Sequence, residues 1–495
     1  MAVKEGFLHR RRDELTSRQP TRRAFLASTG ALTLAGLAVF GCGPAANPST
    51  PTQAPPTTSR PTAAAAAPAP TSATAKVTPA TTAPTAAAAP SSDQVVHLNL
   101  TNFSIVEVAT IFNALVDQFQ KDNPSIKVTY SPTTDNYFPK LLTEAAGGLP
   151  PDVFWMNAQN LGAWTVRNQL LDLTPVAKAD KYDFSDFWKA GLDAYSISGA
   201  LMALPGQVND RALFFNQALF QKAGIKPPPF TFSDQSWNFQ AFVDAAKALT
   251  IGAGGRGAAT QYGCLVPDGF IFYAPWVWAN GGNFMNAERT ESTITAAATV
   301  EVFQFFQDLI HKYNVAPTPA VLSTENGLSL FATGKIGMAT EELTQITFLR
   351  KNAEHFTWDT GVLPAGKAGF ANQSSGPGWA IGKSTKYPEQ SWKLASFLVS
   401  ADAETKLAAG GAALPSRISV AQQIWGHPTS TPLHGNVFLD GLKYVKPNPF
   451  VWNWSEIENM LIKELAYLWD GSHTAAQVMQ TIKPQMDKLL QTKPG

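Results

Sequence analysis

One stretch, Ala203-Leu-Pro-Gly-Gln-Val-Asn-Asp-Arg-Ala-Leu-Phe-Phe-Asn216, separates two parts of the chain that are patterned differently. Pro205 and Gly206 interrupt it, and the apolar run 212–215 that follows has the length of a buried strand. Strand and helix patterns alternate before this stretch, whereas long helices prevail after it. Because 495 residues exceed what one hydrophobic core usually holds, we interpret the stretch as a crossing between two lobes. An ordinary strand-to-helix connection within one domain is the alternative.

The first 43 residues have the features of an export signal. Thr21-Arg-Arg-Ala-Phe-Leu26 matches the twin-arginine signal, and an apolar stretch from Ala24 to Gly41 follows it. Val39-Phe-Gly-Cys42 resembles a bacterial lipobox, with Phe40 bulkier than the usual residue. We predict cleavage before Cys42 and lipid on its thiol, which would hold the protein on the outer face of the cell membrane. An uncleaved anchor and soluble secretion are the alternatives.

The next segment, 43–92, consists almost entirely of Ala, Pro, Thr and Ser. Such a segment cannot bury enough apolar surface to offset the entropy of ordering it, and proline keeps it extended. We therefore predict a disordered stalk. Without the charges of residues 1–92 the net charge falls from +1 to about −5, which gives no basic footprint for nucleic acid. Cys264 has no cysteine partner beyond the signal, so no disulfide is expected.

Order is predicted from Asp93 onward. Val95 to Leu100, 126–130 and Asp152 to Met156 have strand patterns, and helical patterns over 106–119 and 136–146 separate them. This alternation is typical of parallel βαβ units, whose ligands bind beyond the carboxyl ends of the strands. Trp155 and Asn157 lie at one such end.

The middle of the chain carries two indoles beside a Gly-Gly pair. Trp276 and Trp278 lie in Tyr273-Ala-Pro-Trp-Val-Trp-Ala-Asn-Gly-Gly282, which we interpret as a loop that presents flat aromatic faces, with core packing as the alternative. Strand-and-turn patterns return after Gly334 and end at Gly382. The sequence therefore predicts one lobe from 94–206 with 340–381, and another from 207–339 with 382–495.

From Val95 to the C-terminus the chain resembles extracellular solute-binding proteins of ABC sugar transporters, the family that includes maltose-binding protein. The resemblance rests on these motifs in family order: Asp152-Val-Phe-Trp155, Leu170-Leu-Asp-Leu-Thr-Pro175, Leu213-Phe-Phe-Asn216, Gly334-Lys-Ile-Gly-Met-Ala339, Gly378-Trp-Ala-Ile-Gly-Lys383, Tyr387-Pro-Glu-Gln-Ser-Trp-Lys393, Leu414-Pro-Ser416 and the final helices from Trp454 to Leu490. It implies an α/β fold of the periplasmic-binding-protein type, with two discontinuous lobes, a three-crossing hinge and a sugar bound between the lobes. It also implies delivery of that sugar to the permease subunits of an ABC transporter.

The resemblance also implies a set of ligand-binding residues. Trp155 coincides with the family's stacking Trp, and Trp379 lies where many members place an aromatic residue at the ligand. The remaining implied positions are Asn209 and Asp210 in the first crossing, Trp276, Trp278 and Glu341 in loops that face the site, and Trp454 near a stacking position. Asn157, at the carboxyl end of the third strand, completes the set of predicted ligand-binding residues. An acidic-basic pair of maltose-binding protein is replaced here by Ala158-Gln159, so maltose itself is not implied.

Catalytic motifs are not found in the sequence. The chain has no His-Glu-x-x-His and no Gly-x-Ser-x-Gly, and its two approximations to a phosphate loop lack a required hydroxyl or glycine. We expect a monomeric binding protein that is not an enzyme, with no cofactor, no metal and no nucleic acid. A surface-anchored polysaccharide-degrading enzyme and a binder of another small solute, such as a polyamine, are the alternatives.

Overall fold

The structure is a computed structural model that describes residues 95–104, 106–252, 259–409 and 413–494. The predicted export signal, Cys42 and the stalk lie outside the described residues. Within these ranges no helix combines the length and the apolar character needed to cross a membrane.

The described chain is a mixed α/β protein. Its strands are β1 Val96–Thr101, β2 Ile126–Tyr130, β3 Val153–Asn157, β4 Ser196–Ile197, β5 Ala200–Leu201, β6 Ala203–Pro205, β7 Arg211–Asn216, β8 Tyr262–Cys264, β9 Ile336–Glu342, β10 Trp358–Gly361 and β11 Pro377–Ile381. Its helices are α1 Val106–Asp122, α2 Tyr137–Ala146, α3 Ala158–Val166, α4 Thr174–Ala179, α5 Lys189–Ala194, α6 Gln217–Ala223, α7 Phe239–Leu249, α8 Phe270–Ala279, α9 Ala297–His311, α10 Pro319–Leu322, α11 Gly327–Ala332, α12 Gln345–Asn352, α13 Pro388–Leu398, α14 Ala401–Ala409, α15 Ile418–Trp425, α16 Asn436–Gly441, α17 Trp454–Trp469 and α18 Ala475–Gln491. A 3-10 turn, Leu442–Tyr444, follows α16.

Lobe 1 is built on a five-stranded sheet with the order β2-β1-β3-β11-β6. Strands β1, β2 and β3 are parallel, as the alternation of strands and helices predicts, whereas β11 runs antiparallel to both of its neighbours. The apolar residues of β1 alternate with exposed ones and are buried in one core with Phe112 and Phe119 of α1. The carboxyl ends of the three parallel strands therefore meet at one edge of the lobe.

Lobe 2 is built on a four-stranded sheet with the order β10-β7-β9-β8. Strand β7 is buried along its whole length because both faces of the sheet are covered. Phe214 stacks on Trp358 and contacts Phe438 of α16, while Phe215 packs against Phe220 of α6. Helices α7, α8, α9, α17 and α18 complete the core of this lobe.

The lobes are joined by three neighbouring crossings of the backbone. The first runs through Gly206 and Val208, the second through 372–376, and the third lies between α14 and Leu414, with 410–412 outside the described residues. Main-chain hydrogen bonds connect the crossings, from Gly206 N to Pro377 O (3.0 Å) and from Val208 N to Leu414 O (3.0 Å). Gly376 has φ 134°, and a Cβ added to it would lie only 2.7 Å from the carbonyl oxygen of Gln207.

The composition of the lobes differs from the prediction. Residues 340–376 were predicted in lobe 1, but β9 and β10 both pair with β7 in the sheet of lobe 2, and only β11 crosses back. Residues 382–409 were predicted in lobe 2, but α13 buries Trp392 and Leu394 in the core of lobe 1. Hydrophobic periodicity identifies a strand, but the sheet that it joins depends on pairing partners distant in sequence.

Candidate functional site

Trp155 and Trp379 lie side by side in the sheet of lobe 1. They are paired in the register of β3 and β11, their ring centroids are 5.6 Å apart, and Phe112 meets both rings edge-on. Trp379 is only 1% exposed, beneath Gly206 of the first crossing, so it packs as a core residue and offers no free face. Trp155 is partly exposed, and its buried Nε1 has no hydrogen-bond partner in the part of the chain that the structure describes.

Further polar and aromatic side chains lie at the carboxyl edge of lobe 1. Tyr130 donates a hydrogen bond of 2.7 Å to Asn102 Oδ1, while the buried Nδ2 of Asn102 has no partner among the described residues. Phe103 follows β1 with 46% of its surface exposed. Asn157 is the N-cap of α3, and its side chain accepts a hydrogen bond of 3.0 Å from Asn160 N. This edge combines a flat apolar surface with buried N–H donors.

Asn209 and Asp210, predicted to bind ligand, are parts of the hinge. Asn209 accepts hydrogen bonds at its main-chain oxygen from Ser375 N (2.8 Å) and at Oδ1 from Leu414 N (2.8 Å), so one residue connects all three crossings. Asp210 is fully buried and accepts a 2.9 Å hydrogen bond from Asn372 Nδ2. Burial raises the pKa of the Asp210 carboxyl well above its ordinary value, against the opposing charge of Arg211.

Arg211 is a buried cation that the sequence analysis did not single out. Its guanidinium donates to Ser375 Oγ (2.8 Å) and to the carbonyl oxygens of Asn209 and Gln373, and it lies 3.4 Å from a carboxylate oxygen of Glu342. Glu341 is 8% exposed, and burial together with the charge of Glu342 raises its pKa to about 8. Arg211 therefore organises the lobe 2 side of the hinge.

The three remaining predicted indoles are core residues of lobe 2. Trp276 is surrounded by the rings of Phe239, Phe242, Phe305 and Phe306. The predicted loop around it is helix α8, in which every residue from Tyr273 to Ala279 is buried, and the prediction that Trp276 faces the ligand is therefore not supported by its position.

Trp454 is fully buried, with its ring 4.6 Å from that of Phe270. Trp278 is 7% exposed and packs against Phe270 and Phe284. These contacts follow from the length of α8, which continues through Pro275 and presents all sides to apolar neighbours.

A cavity of about 580 Å³ lies between the lobes. Lobe 1 contributes α3 and α5, lobe 2 contributes the loop 445–453 and Arg289, and Ser374 contributes from the hinge. The lobes meet directly beside it, since a Cβ added to Gly162 of α3 would lie 3.1 Å from the Cα of Trp452. None of the residues predicted to bind ligand lines this cavity, although Asn157 and Trp454 each directly adjoin a residue that does.

Two aromatic residues of this cavity were missed by the sequence analysis. Phe450 and Trp452 both line it, and the Nε1 of the partly exposed Trp452 donates a hydrogen bond of 3.3 Å to Thr492 O. The signal in the sequence is the pair Pro447 and Pro449, which places both aromatic residues in a loop before α17 rather than in a helix core.

Charged and amide groups surround the aromatic wall of the cavity. Lys189 and Asp193 of α5 form an exposed ion pair, and Arg289 donates to the carbonyl oxygens of Asn448 (3.2 Å) and Phe450 (2.9 Å). Asn448 in turn donates 3.1 Å to Ser374 O. The loop 445–453 is thus fastened to both Arg289 and the hinge. A concave site with an aromatic wall and fixed polar groups suits a small polyhydroxylated molecule.

Comparisons with known proteins agree with this architecture. A protein of Brucella abortus described as a binding protein is 22% identical over 404 residues, which are 80% of this chain and 93% of that protein. An ABC substrate-binding protein from Listeria monocytogenes, solved with cycloalternan, has a TM-score of 0.72 at 24% identity and covers 81% of this chain and 100% of its own. The GacH receptor of Streptomyces glaucescens, solved unliganded and with acarbose, has a TM-score of 0.69 at 19% identity, with coverages of 81% and 100%.

The family described as bacterial extracellular solute-binding protein matches residues 114–432, which is more than half of the chain. The match begins within α1, after β1, and includes the other strands of both sheets and the three crossings. The chain belongs to the family of bacterial extracellular solute-binding proteins.

Proposed function

We propose that this protein binds a sugar or an oligosaccharide in the interlobe cavity and delivers it to the permease subunits of an ABC transporter. The observation that carries the proposal is the cavity itself, in which Phe450 and Trp452 lie among Lys189, Arg289 and Asn448. One face of a pyranose ring consists of C–H groups that stack on an indole, whereas its hydroxyls need donors and acceptors. Relatives of the same fold were solved with cycloalternan and with acarbose.

Binding is accompanied by closure of the lobes about the three crossings. The cavity has walls from both lobes and a floor at Ser374 of the hinge, so a ligand that fills it contacts both lobes at once. Such a ligand stabilises the closed arrangement by its differential affinity for it. A closed, loaded form is what a permease can distinguish from the empty protein.

Trp452→Ala tests the site. Stacking of a flat ring on an aromatic side chain is worth about 1–3 kcal/mol, which corresponds to a dissociation constant raised roughly 5- to 150-fold. A thermal-shift screen of mono- and oligosaccharides identifies the ligand, and calorimetry then measures binding by both proteins. Tyr467→Ala, which removes an exposed aromatic ring of α17 outside the cavity, is the matched control. Equal affinity of all three proteins would remove Trp452 from the site.

The same ligands discriminate this function from the alternatives. A binding protein that is not an enzyme releases its sugar unchanged, whereas a polysaccharide-degrading enzyme would convert oligosaccharides to shorter products. Stabilisation by a polyamine, with no response to any sugar, would indicate a binder of another solute. Product analysis after overnight incubation with the best ligand separates these outcomes.

We further propose that the protein is exported by the twin-arginine signal and anchored outside the membrane by lipid on Cys42. The support is Thr21-Arg-Arg-Ala-Phe-Leu26 and Val39-Phe-Gly-Cys42 in the sequence. Cys42→Ala should release the protein into the medium or leave an unprocessed precursor, measured by detergent partitioning and mass. Unchanged partitioning of a shortened, processed protein would argue against acylation, and unchanged partitioning of a full-length one would indicate an uncleaved anchor.

A further inference from the structure

A second cavity, of about 520 Å³, adjoins the interlobe cavity on the surface of lobe 2. Its own walls come from the end of α8 and the turn after it, with Trp278, Asn283 and Asn286, and from the exposed Ala368. Arg289 and the segment 446–448 line both cavities, so they form a ridge that both cavities share. This arrangement places a second concave surface next to the proposed sugar site.

The ridge between the cavities is held in place by hydrogen bonds. Arg289 donates hydrogen bonds to main-chain oxygens of the loop. Asn448 accepts a hydrogen bond of 2.8 Å from Gln373 Nε2 and donates one to Ser374 O. The loop is therefore fixed to the hinge on one side and to the turn at Arg289 on the other. Lys446, on the ridge, is exposed and makes no ion pair among the described residues.

The second cavity, like the first, is lined by an aromatic residue, amides and cationic side chains. Its lining includes Trp278, which is only 7% exposed, together with Asn283 and Asn286. Gly281 has φ 85°, a conformation that glycine adopts readily, and this turn shapes the cavity wall without a side chain. Amides beside an aromatic residue suit hydroxyl-rich ligands, as in the interlobe cavity.

We infer that the ligand extends from the interlobe cavity across the Lys446–Asn448 ridge into the lobe 2 cavity, and that it is an oligosaccharide too long for either cavity alone. This inference rests on the proposed function. The interlobe cavity by itself has the size of a site for one small molecule, and the two volumes together exceed the upper end of that range, about 1,000 Å³. A monosaccharide would leave the second surface unused, whereas a longer chain contacts both.

Binding by oligosaccharides of graded length tests the inference. Calorimetry is performed with the malto-, cello-, manno- and xylo-oligosaccharide series, each from one to six units. In the series that binds, affinity is expected to rise with each added unit until the chain occupies both cavities. The longest members should bind at least about tenfold more tightly than the disaccharide.

Ala368→Trp provides the decisive variant. Ala368 is exposed, lines only the lobe 2 cavity and lies 3.6 Å from a Cβ added at Gly281, so an indole there fills the cavity without entering a core. The variant should bind the longest oligosaccharides about tenfold or more weakly than the unaltered protein does, while its affinity for the disaccharide is unchanged. Ala320→Trp, at an exposed position of α10 outside both cavities, is the matched control.

The possible results separate the inference from the proposed function. If short and long chains bind equally tightly, or if Ala368→Trp leaves every affinity unchanged, the extension into lobe 2 is wrong and sugar binding stands. If no member of any series binds while another class of solute does, both the proposed function and the extension into the lobe 2 cavity are wrong.

Discussion

At the scale of single residues, Glu341 links burial to the pH dependence of stability. Its pKa of about 8 lies above the ordinary value of 4.5, because burial and the charge of Glu342 disfavour the carboxylate. The folded state therefore holds a proton that the unfolded chain releases at lower pH. The free energy of unfolding therefore falls as the pH rises from about 4.5 to 8. Below about pH 4.5 the protonated Glu341 makes its full contribution to stability.

Glu341→Gln should flatten this dependence. The amide cannot ionise, so the loss of stability between pH 5 and 8 should be smaller than in the unaltered protein. Burial also raises the pKa of Glu404 to about 8, so part of the dependence of the unfolding free energy on pH should remain in both proteins. Denaturant unfolding at four pH values measures the effect, with the exposed Glu354→Gln as control. A slope identical to that of the control would show that Glu341 is ionised in the folded protein.

The indoles show what residue types can predict about the site. Trp155 was predicted from the end of a strand and Trp379 from the family resemblance, and the structure pairs the two across β3 and β11. The degree of exposure was not predictable, because an indole suits a core and a sugar face equally well. Trp276 and Trp454 are core residues, which residue type alone could not distinguish from a sugar site. Trp452 lines the cavity because two prolines keep it out of a helix.

At the scale of elements, the sequence predicted strands and helices better than their assembly. The parallel units of lobe 1 follow from local periodicity, and β1, β2 and β3 are found where strands were expected. The segment around Trp276 was predicted as a loop because its two indoles lie beside a Gly-Gly pair. Tertiary contacts override that local pattern, since α8 is buried on all sides. The sheet assignment of β9 and β10 depends on β7, more than 100 residues away.

Asn209 is the element-scale test of the hinge. In Asn209→Ala, Leu414 N loses the acceptor of its 2.8 Å hydrogen bond, and Gln207 Oε1 loses its donor. Leaving a buried backbone N–H unpaired costs about 1–3 kcal/mol, so the free energy of unfolding should fall by that amount. Asn113→Ala, at an exposed position of α1, is the control and should change it little. Equal stability of the two variants would show that water replaces the lost hydrogen bond.

At the scale of the whole molecule, the two lobes have separate hydrophobic cores, which also meet outside the hinge where α14 contacts α15 and where α3 contacts α17. The core of lobe 1 surrounds the sheet from β2 to β6, and that of lobe 2 surrounds the sheet from β10 to β8. Beside the interlobe cavity, α3 meets the loop before α17 at Gly162. Motion of one lobe relative to the other would change the distance between α3 and the loop before α17, and it would leave each core intact.

Gly162 is the position at which closure and stability can be separated. A Cβ at this residue would lie 3.1 Å from both N and Cα of Trp452 and 3.2 Å from the carbonyl carbon of Val451, which are backbone atoms that cannot rotate away. Gly162 is also in the middle of α3, where alanine favours the helix by about 1 kcal/mol. Gly162→Ala should therefore melt at the same or a higher temperature without ligand, yet bind the best sugar of the screen more weakly.

Gly162→Val should extend this effect, because its two methyl groups add further contacts at the same backbone. Small-angle scattering of each variant, with and without that sugar, measures the change in radius of gyration on binding. The change should be smaller in Gly162→Ala than in the unaltered protein and smallest in Gly162→Val, in the same order as the affinities. If both variants bind and contract as the unaltered protein does, the approach of α3 to Trp452 is not part of the closed state that holds the ligand.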